Sequence, residues 1–138
     1  MIKIEIPWIP EISKNKKFKY KTRKILSDGY KDGKELITWK IIQTGKHTSF
    51  IPKTKTFVFI KCYRPNFKGD IQNFEEAICD AIKVGINVGD NYFCPVFNYE
   101  LDRDNPRIII IIEQENGPAA TLFESTFQKI FRFSPKVS

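Results

Sequence analysis

Two aspartates, Asp70 and Asp90, lie toward the two ends of one short stretch, RPNFKGDIQNFEEAICDAIKVGINVGDNYF from Arg64 to Phe93, that reads as a helix with a turn at each end. Asp70 follows a polar bend (Pro65, Asn66, Gly69) and precedes a helix expected to begin near Gln72 or Asn73. Gly85 is expected to end that helix, and Gly89-Asp90-Asn91 to turn the chain back. Asp70 and Asp90 could therefore converge. Carboxylates in that arrangement suit a hard divalent cation such as magnesium or manganese, which takes oxygen ligands and keeps several waters. Such an ion polarises a phosphodiester and activates water. The same residues also have a plainer use, since Asp before a helix is a common cap and Asp-Asn a common turn.

The helix between them has two faces. Phe74, Ala77, Ile78, Ala81 and Ile82 recur at helical spacing and predict a core-facing arc, whereas Asn73, Glu76, Asp80 and Lys83 form a polar stripe open to chemistry. Ahead of it, Thr56 to Tyr63 is rich in β-branched and aromatic residues and predicts a central strand that delivers the chain to Asp70. Ile2 to Ile6 alternates apolar with charged residues, the period of a half-buried strand, and Pro7-Trp8-Ile9-Pro10 stops it. A turn at Ser27-Asp28-Gly29 precedes a helix predicted from Asp32 to about Thr44, with Leu36, Ile37 and Ile41 on its buried edge. Past the acidic block, a strand broken at Pro95 is expected between Tyr92 and Asp102. Asp104-Asn105-Pro106 then reads as a hairpin-type turn, and Arg107 to Glu113 as a strand buried on both faces. Gly117-Pro118 marks a boundary, so the division is a domain over 1–116 and a C-terminal amphipathic helix over 117–138 carrying Leu122, Phe123, Phe127, Ile130 and Phe131.

Charge narrows the partner. The 138-residue chain carries a formal net charge of +7, which favours a polyanion. Seven of its basic residues (Lys14, Lys16, Lys17, Lys19, Lys21, Arg23, Lys24) fall within one acid-free segment with Phe18 and Tyr20 interleaved. Cations beside aromatic rings suit phosphates and stacked bases, and the segment lacks the apolar helical face of a membrane-surface element. Asn15 lies within this segment, and Arg64 and Lys68 flank the acidic block, so all three join the expected DNA contacts. The three cysteines, Cys62, Cys79 and Cys94, are scattered without metal-ligand spacing, which argues against zinc and a disulfide framework. Together with the lack of a long apolar run or signal-peptide pattern, this predicts a cytoplasmic protein with no membrane partner. His47, the sole histidine, has no oriented acid or serine at a suggestive spacing and reads as a loop residue.

Three stretches resemble the RusA family of Holliday-junction resolvases. Ile6-Pro7-Trp8-Ile9-Pro10 followed by Asn15-Lys16 is similar to the family's proline-rich start and its Asn-Arg/Lys step, and Ser27-Asp28-Gly29-Tyr30 to the turn before its first helix. The family pattern Asp-x-Asp-Asn-Leu, helical Asp-Ala, glycine and Asp-Asp stands here as Asp70-Ile71-Gln72-Asn73-Phe74, Asp80-Ala81, Gly85 and Asp90-Asn91. The resemblance covers roughly residues 2 to 113. It implies a single α+β domain with a mixed sheet of about four strands packed with helices, acting as a homodimer on branched DNA with magnesium-bound carboxylates. It also implies Asp70 and Asp90 as catalytic metal ligands, with Asp80 assisting.

The chain departs from the family at Gln72 and Asn91, which replace acids, and at Glu76, which stands where a lysine is common. Gln72 and Asn91 keep an oxygen donor but lose charge. Glu76 neighbours Asn73 and Asp80 on the stripe and could restore a carboxylate. The sequence thus predicts a magnesium- or manganese-dependent endodeoxyribonuclease for four-way junctions or other branched DNA. The alternatives are a junction-binding relative without catalysis, or an interaction module that uses the C-terminal Phe/Ile face.

Overall fold

Ser27 is where local structure first departs from the turn expected there. Its Oγ accepts the Tyr30 N–H at 3.3 Å, which makes Ser27 an N-cap and starts helix α1 at Asp28 (Asp28–Gln43). The Ser-Asp-Gly signature is therefore a helix start, four residues earlier than expected, with Asp28 placed favourably in the first turn. Asp70 repeats the device: its Oδ1 accepts the Gln72 N–H at 3.0 Å and caps a 3-10 turn, Ile71–Phe74, that runs straight into α2 (Glu75–Ile86). Helix α2 runs one residue past Gly85 to Ile86 and is capped by Asn87, which adopts the left-handed conformation at φ 56° and donates its N–H to the Lys83 carbonyl at 3.0 Å. Gly85 serves packing instead, since a Cβ there would lie 2.9 Å from Ile41 of α1. The missing side chain lets the two helices approach.

The computed structural model of the protein describes residues 1–13, 17 and 27–114. The expected helix over 117–138 and most of the basic segment fall outside these residues. Strands β1 (Ile2–Pro7), β2 (Thr56–Arg64), β3 (Phe93–Leu101) and β4 (Arg107–Gln114) form one mixed sheet in the order β1-β4-β2-β3. β4 pairs antiparallel with β1 and with β2, while β3 pairs parallel with β2 from Thr56↔Phe93 to Arg64↔Leu101. The fold is α+β, a four-stranded mixed sheet packed against two helices.

Two expectations about the last strands are corrected. β3 is unbroken through Pro95, because an edge strand tolerates a residue with no N–H to give. β3 and β4 are also not a hairpin; β2 lies between them, so the Asp102–Pro106 connection passes the end of β2. Asp102 shapes that crossing. Its carboxylate accepts the N–H groups of Asp104 (3.2 Å) and Asn105 (3.0 Å) and the Arg107 guanidinium (3.0 Å), while its own N–H donates to the Arg64 carbonyl at 2.8 Å. The Asn105 N–H foremost, then Arg107, holds its carboxyl below the usual carboxylate range.

The core lies between the sheet and the helices. Alternate residues Ile2, Ile4 and Ile6 of β1, Val58, Ile60 and Cys62 of β2, and Ile108, Ile110 and Ile112 of β4 are buried against Tyr30, Ile37 and Ile41 of α1 and the apolar arc of α2. On the opposite face Phe59 and Ile111 form a smaller buried cluster with Phe57 and Ile109, so β4 is buried on both faces along its second half. Among the described residues no helix is long and apolar enough to cross a membrane.

Candidate functional site

The polar stripe of α2 opens onto a cavity of about 410 Å³ at the end of the sheet. Gln72 from the 3-10 turn, Glu75, Glu76, Cys79 and Asp80 from α2, and Asp90 from the following turn line it, with Phe93 and Pro95 of β3 completing the wall. Parallel pairing explains how Asp90 arrives. β3 must start beside the start of β2, so the chain leaves α2, turns at Asp90–Tyr92 and enters the sheet alongside the helix stripe. A larger cavity of about 760 Å³ between α1 and α2 mixes Lys31, Asp32, Lys34 and Glu35 with the exposed Trp39 and Val84, and contains no residue of the acidic block except Ala81 and Val84 of the helix itself.

Two lysines reach the stripe from other parts of the chain. Lys17 pairs with Glu76, and the Lys34 Nζ lies 3.5 Å from Asp80 Oδ2. Both ammoniums sit near the ring of Tyr30, at 5.8 Å and 5.5 Å from its centroid. Tyr30 is fully buried, and its hydroxyl has no hydrogen-bond partner among the described residues. Burial, then the charges of Glu76 and Asp80, push that phenol up to about 12. Cys79 behaves likewise: burial foremost, then Glu75, Asp80 and Asp90, push its thiol up to about 12. The cavity thus concentrates negative potential, against which two ammoniums are set.

The predicted site residues divide. Asp90, Asp80, Glu76 and Gln72 line one cavity; Asp70 and Asn91 are exposed and do not line it. Asp70 spends one carboxylate oxygen on the cap of the 3-10 turn. Among the described residues, no three His, Cys, Asp or Glu side chains are gathered closely enough to hold a metal ion. The donors around the cavity are nonetheless mainly carboxylate and amide oxygens, the set a hard divalent cation takes. In donor type, though not in spacing, Asp90, Asp80, Glu75 and Glu76 suit a hard divalent cation.

The expected DNA contacts divide as well. Arg64, expected on the surface, is only 4% exposed. Its amino group donates to the carbonyls of Lys68 (2.9 Å) and Gly69 (2.7 Å), and its guanidinium lies 5.7 Å from the Phe67 ring and 5.3 Å from that of Tyr99. Arg64 therefore holds the β2–α2 connection, because its position in β2 points to the helix side of the sheet, where Cys62 and Ile60 also point. Lys68 is exposed. Of the basic segment, Lys17 is described and stands at the acidic cavity, while Lys14, Asn15, Lys16, Lys19, Lys21, Arg23 and Lys24 lie outside the described residues. His47 lies on the 3-10 turn His47–Ser49 between α1 and β2 and does not line the cavity.

Glu75, Tyr30 and Lys34 belong to the site without having been singled out. Glu75 had a readable signal, three residues after Gln72 and four before Cys79, hence on their face of the helix. Tyr30 and Lys34 are likewise four apart on α1, but nothing local says which helix they meet.

A four-stranded α+β domain with carboxylates in a cleft between helix and sheet is the framework on which the comparison with known families bears. The family model described as endodeoxyribonuclease RusA matches residues 7–113, which span the end of β1 through β4 and include the whole acidic block. The chain belongs to this family of endodeoxyribonucleases. No curated protein matches the chain.

Proposed function

We propose that the protein is a divalent-metal-dependent endodeoxyribonuclease that cuts branched DNA, foremost the four-way junction, as a cytoplasmic homodimer. The observation that carries this reading is the acidic cavity itself. It lies within the family-matched residues, gathers Asp90 with Asp80, Glu75, Glu76 and Gln72, and has a lysine of the basic segment at its rim.

Roles follow from placement. Asp90, Asp80, Glu75 and Glu76 supply the negative charge and oxygen ligands for magnesium or manganese, and the Gln72 carbonyl adds a neutral donor. When bound, such an ion polarises the phosphodiester and lowers the pKa of water. Asp70 fixes the entry of α2 through its cap, and its second carboxylate oxygen remains for a solvent-side contact. Lys34 and Lys17 bring cations to a site that would otherwise repel a phosphate. A homodimer suits this reading because a four-way junction presents paired cleavage positions to a two-fold symmetric protein.

The test is cleavage of a synthetic four-way junction across magnesium and manganese titrations, with Asp90→Asn as the inactive control. Junction binding with no cleavage at any metal concentration would favour the second reading, a family member that binds DNA without catalysis. Gln72 and Asn91 and the lysine partners of Glu76 and Asp80 support that alternative, since each reduces the charge available to an ion.

A further inference from the structure

We infer that the groove between α1 and α2 is where two copies of this chain meet, each setting its Trp39 ring into the hollow of the other. The inference rests on the homodimer in the reading above and names the surface that forms it.

The groove exposes side chains that a folded domain ordinarily hides. Trp39 is 57% exposed and Val84 68%, and Ile42, one turn along α1 from Trp39, is exposed beside them. With Leu36, Thr38 and Ala81 they line the cavity of about 760 Å³. That volume is typical of a cleft that takes a whole small molecule, so it has room for an indole ring. Large apolar side chains clustered on a surface mark an interaction site, and tryptophan is a frequent anchor of one.

Two properties point to a second copy as the occupant. A two-fold contact uses the same patch on both partners, so that patch must complement itself. Here a projecting ring and a hollow lie side by side, and the rotation sets each ring opposite the other's hollow. Charge agrees. The residues lining the groove include as many acids (Asp32, Glu35) as bases (Lys31, Lys34), on a chain whose formal net charge is +7. Two such chains repel each other over most of their surface and meet with least repulsion at a balanced patch, where acids of one copy can face bases of the other. A polyanion finds no excess of cations among those residues.

The contact also bears on the acidic cavity. Ala81 and Val84 lie on the helix that presents Asp80, and Lys34 lines the groove while reaching Asp80 at 3.5 Å. A seam along α1 and α2 therefore fixes two acidic cavities at a set spacing, as paired incision of a junction requires.

The experiment uses the full chain. Sedimentation velocity over a dilution series gives the dimer Kd of wild type, Trp39→Asp, Lys31→Glu, Glu35→Lys and the Lys31→Glu/Glu35→Lys double variant, with circular dichroism to show that each is folded. Trp39→Asp should weaken the dimer by about thirtyfold or more, the effect of losing an interface anchor. Each single reversal should weaken it by roughly tenfold, and the double reversal should recover most of that loss. The tryptophan emission of wild type should move to shorter wavelength as the dimer forms, and that of Trp39→Phe, which retains only Trp8, should not. A wild-type dimer whose Kd is unmoved by Trp39→Asp overturns the interface and leaves the nuclease reading standing. A wild type that stays monomeric at every concentration, with or without junction DNA, overturns the interface and the homodimer together; its cleavage of the junction then decides the nuclease reading separately. Quenching of Trp39 by junction DNA, with association unaffected by Trp39→Asp, makes the groove a DNA contact and overturns the proposal.

Discussion

Arg64 separates two accounts of how this family member holds its acidic block. If Arg64 is a buried brace, Arg64→Met removes two hydrogen bonds from a charged donor to the carbonyls of Lys68 and Gly69. Bonds of that kind contribute about 1.5–3 kcal/mol each in a protected setting. Both start from one amino group and end on exposed residues that water can rehydrate, so their sum is discounted to about 1–2 kcal/mol. Lost contact with the rings of Phe67 and Tyr99 adds about 0.5–1 kcal/mol. A total near 2 kcal/mol lowers Tm by roughly 5–10 °C for a domain of this size. Lysine lacks the planar guanidinium that lies beside the Phe67 and Tyr99 rings, so Arg64→Lys should lose the ring contribution and keep part of the hydrogen bonding. Scanning calorimetry reads the stability, and junction binding across a salt series reads the phosphate contacts. An Arg64→Met protein with an unchanged Tm, and a salt dependence shallower by about one phosphate contact, would refute the brace and return Arg64 to the DNA surface.

Asp90→Asn should leave stability within about 0.5 kcal/mol of wild type, as exposed polar substitutions do. It should cut junction cleavage at least roughly a hundredfold, the upper range seen for residues supporting an ion; full activity would remove Asp90 from the site. Gly33→Ala places a Cβ 2.2 Å from the buried Ile12 in the 3-10 turn that packs on α1. It should cost about 1–3 kcal/mol by urea unfolding, and wild-type stability would show that the contact is looser than the structure has it. Stability should also fall in alkali. Burial raises Tyr30, Cys62 and Cys79 to about 12, from ordinary values of 10.0 for the phenol and 9.0 for the thiols. The unfolded chain therefore releases these protons first, and the groups' contribution is intact below about pH 9 and is lost as the pH rises toward 12. The urea midpoint should drop from neutral pH to about pH 10.5, and by less in Cys62→Ala/Cys79→Ala; an equal drop in that variant would remove the thiols from the account.

What could be read from the chain followed short-range rules. The alternation of Ile2, Ile4 and Ile6, the β-branched and aromatic run of β2, the isoleucines of β4 and the apolar arc of α2 each state a period and a burial that the structure carries. The misreadings share a cause. Ser27-Asp28-Gly29 uses residue types equally at home in turns and caps, and which use prevails depends on whether a helix N–H is waiting nearby. The supposed hairpin failed because β2 occupies the place between β3 and β4, a pairing decided forty residues away from the Asp104-Asn105-Pro106 turn.

The electrostatics of the cavity illustrate the limit more sharply. Tyr30, Lys34 and Thr38 recur every four residues and mark one edge of α1, a pattern visible in the sequence. Its meaning comes from what that edge meets: Thr38 donates to the Ala81 carbonyl at 3.0 Å, Lys34 reaches Asp80, and Tyr30 lies near Glu76. All three contacts require α1 and α2 to lie close, which Gly85 permits by leaving room for Ile41. The counter-charge that Lys34 brings to Asp80 therefore depends on a helix–helix distance. An acidic motif scored on its own carboxylates counts too much negative charge here, because the lysines that offset it arrive from 46 and 59 residues away.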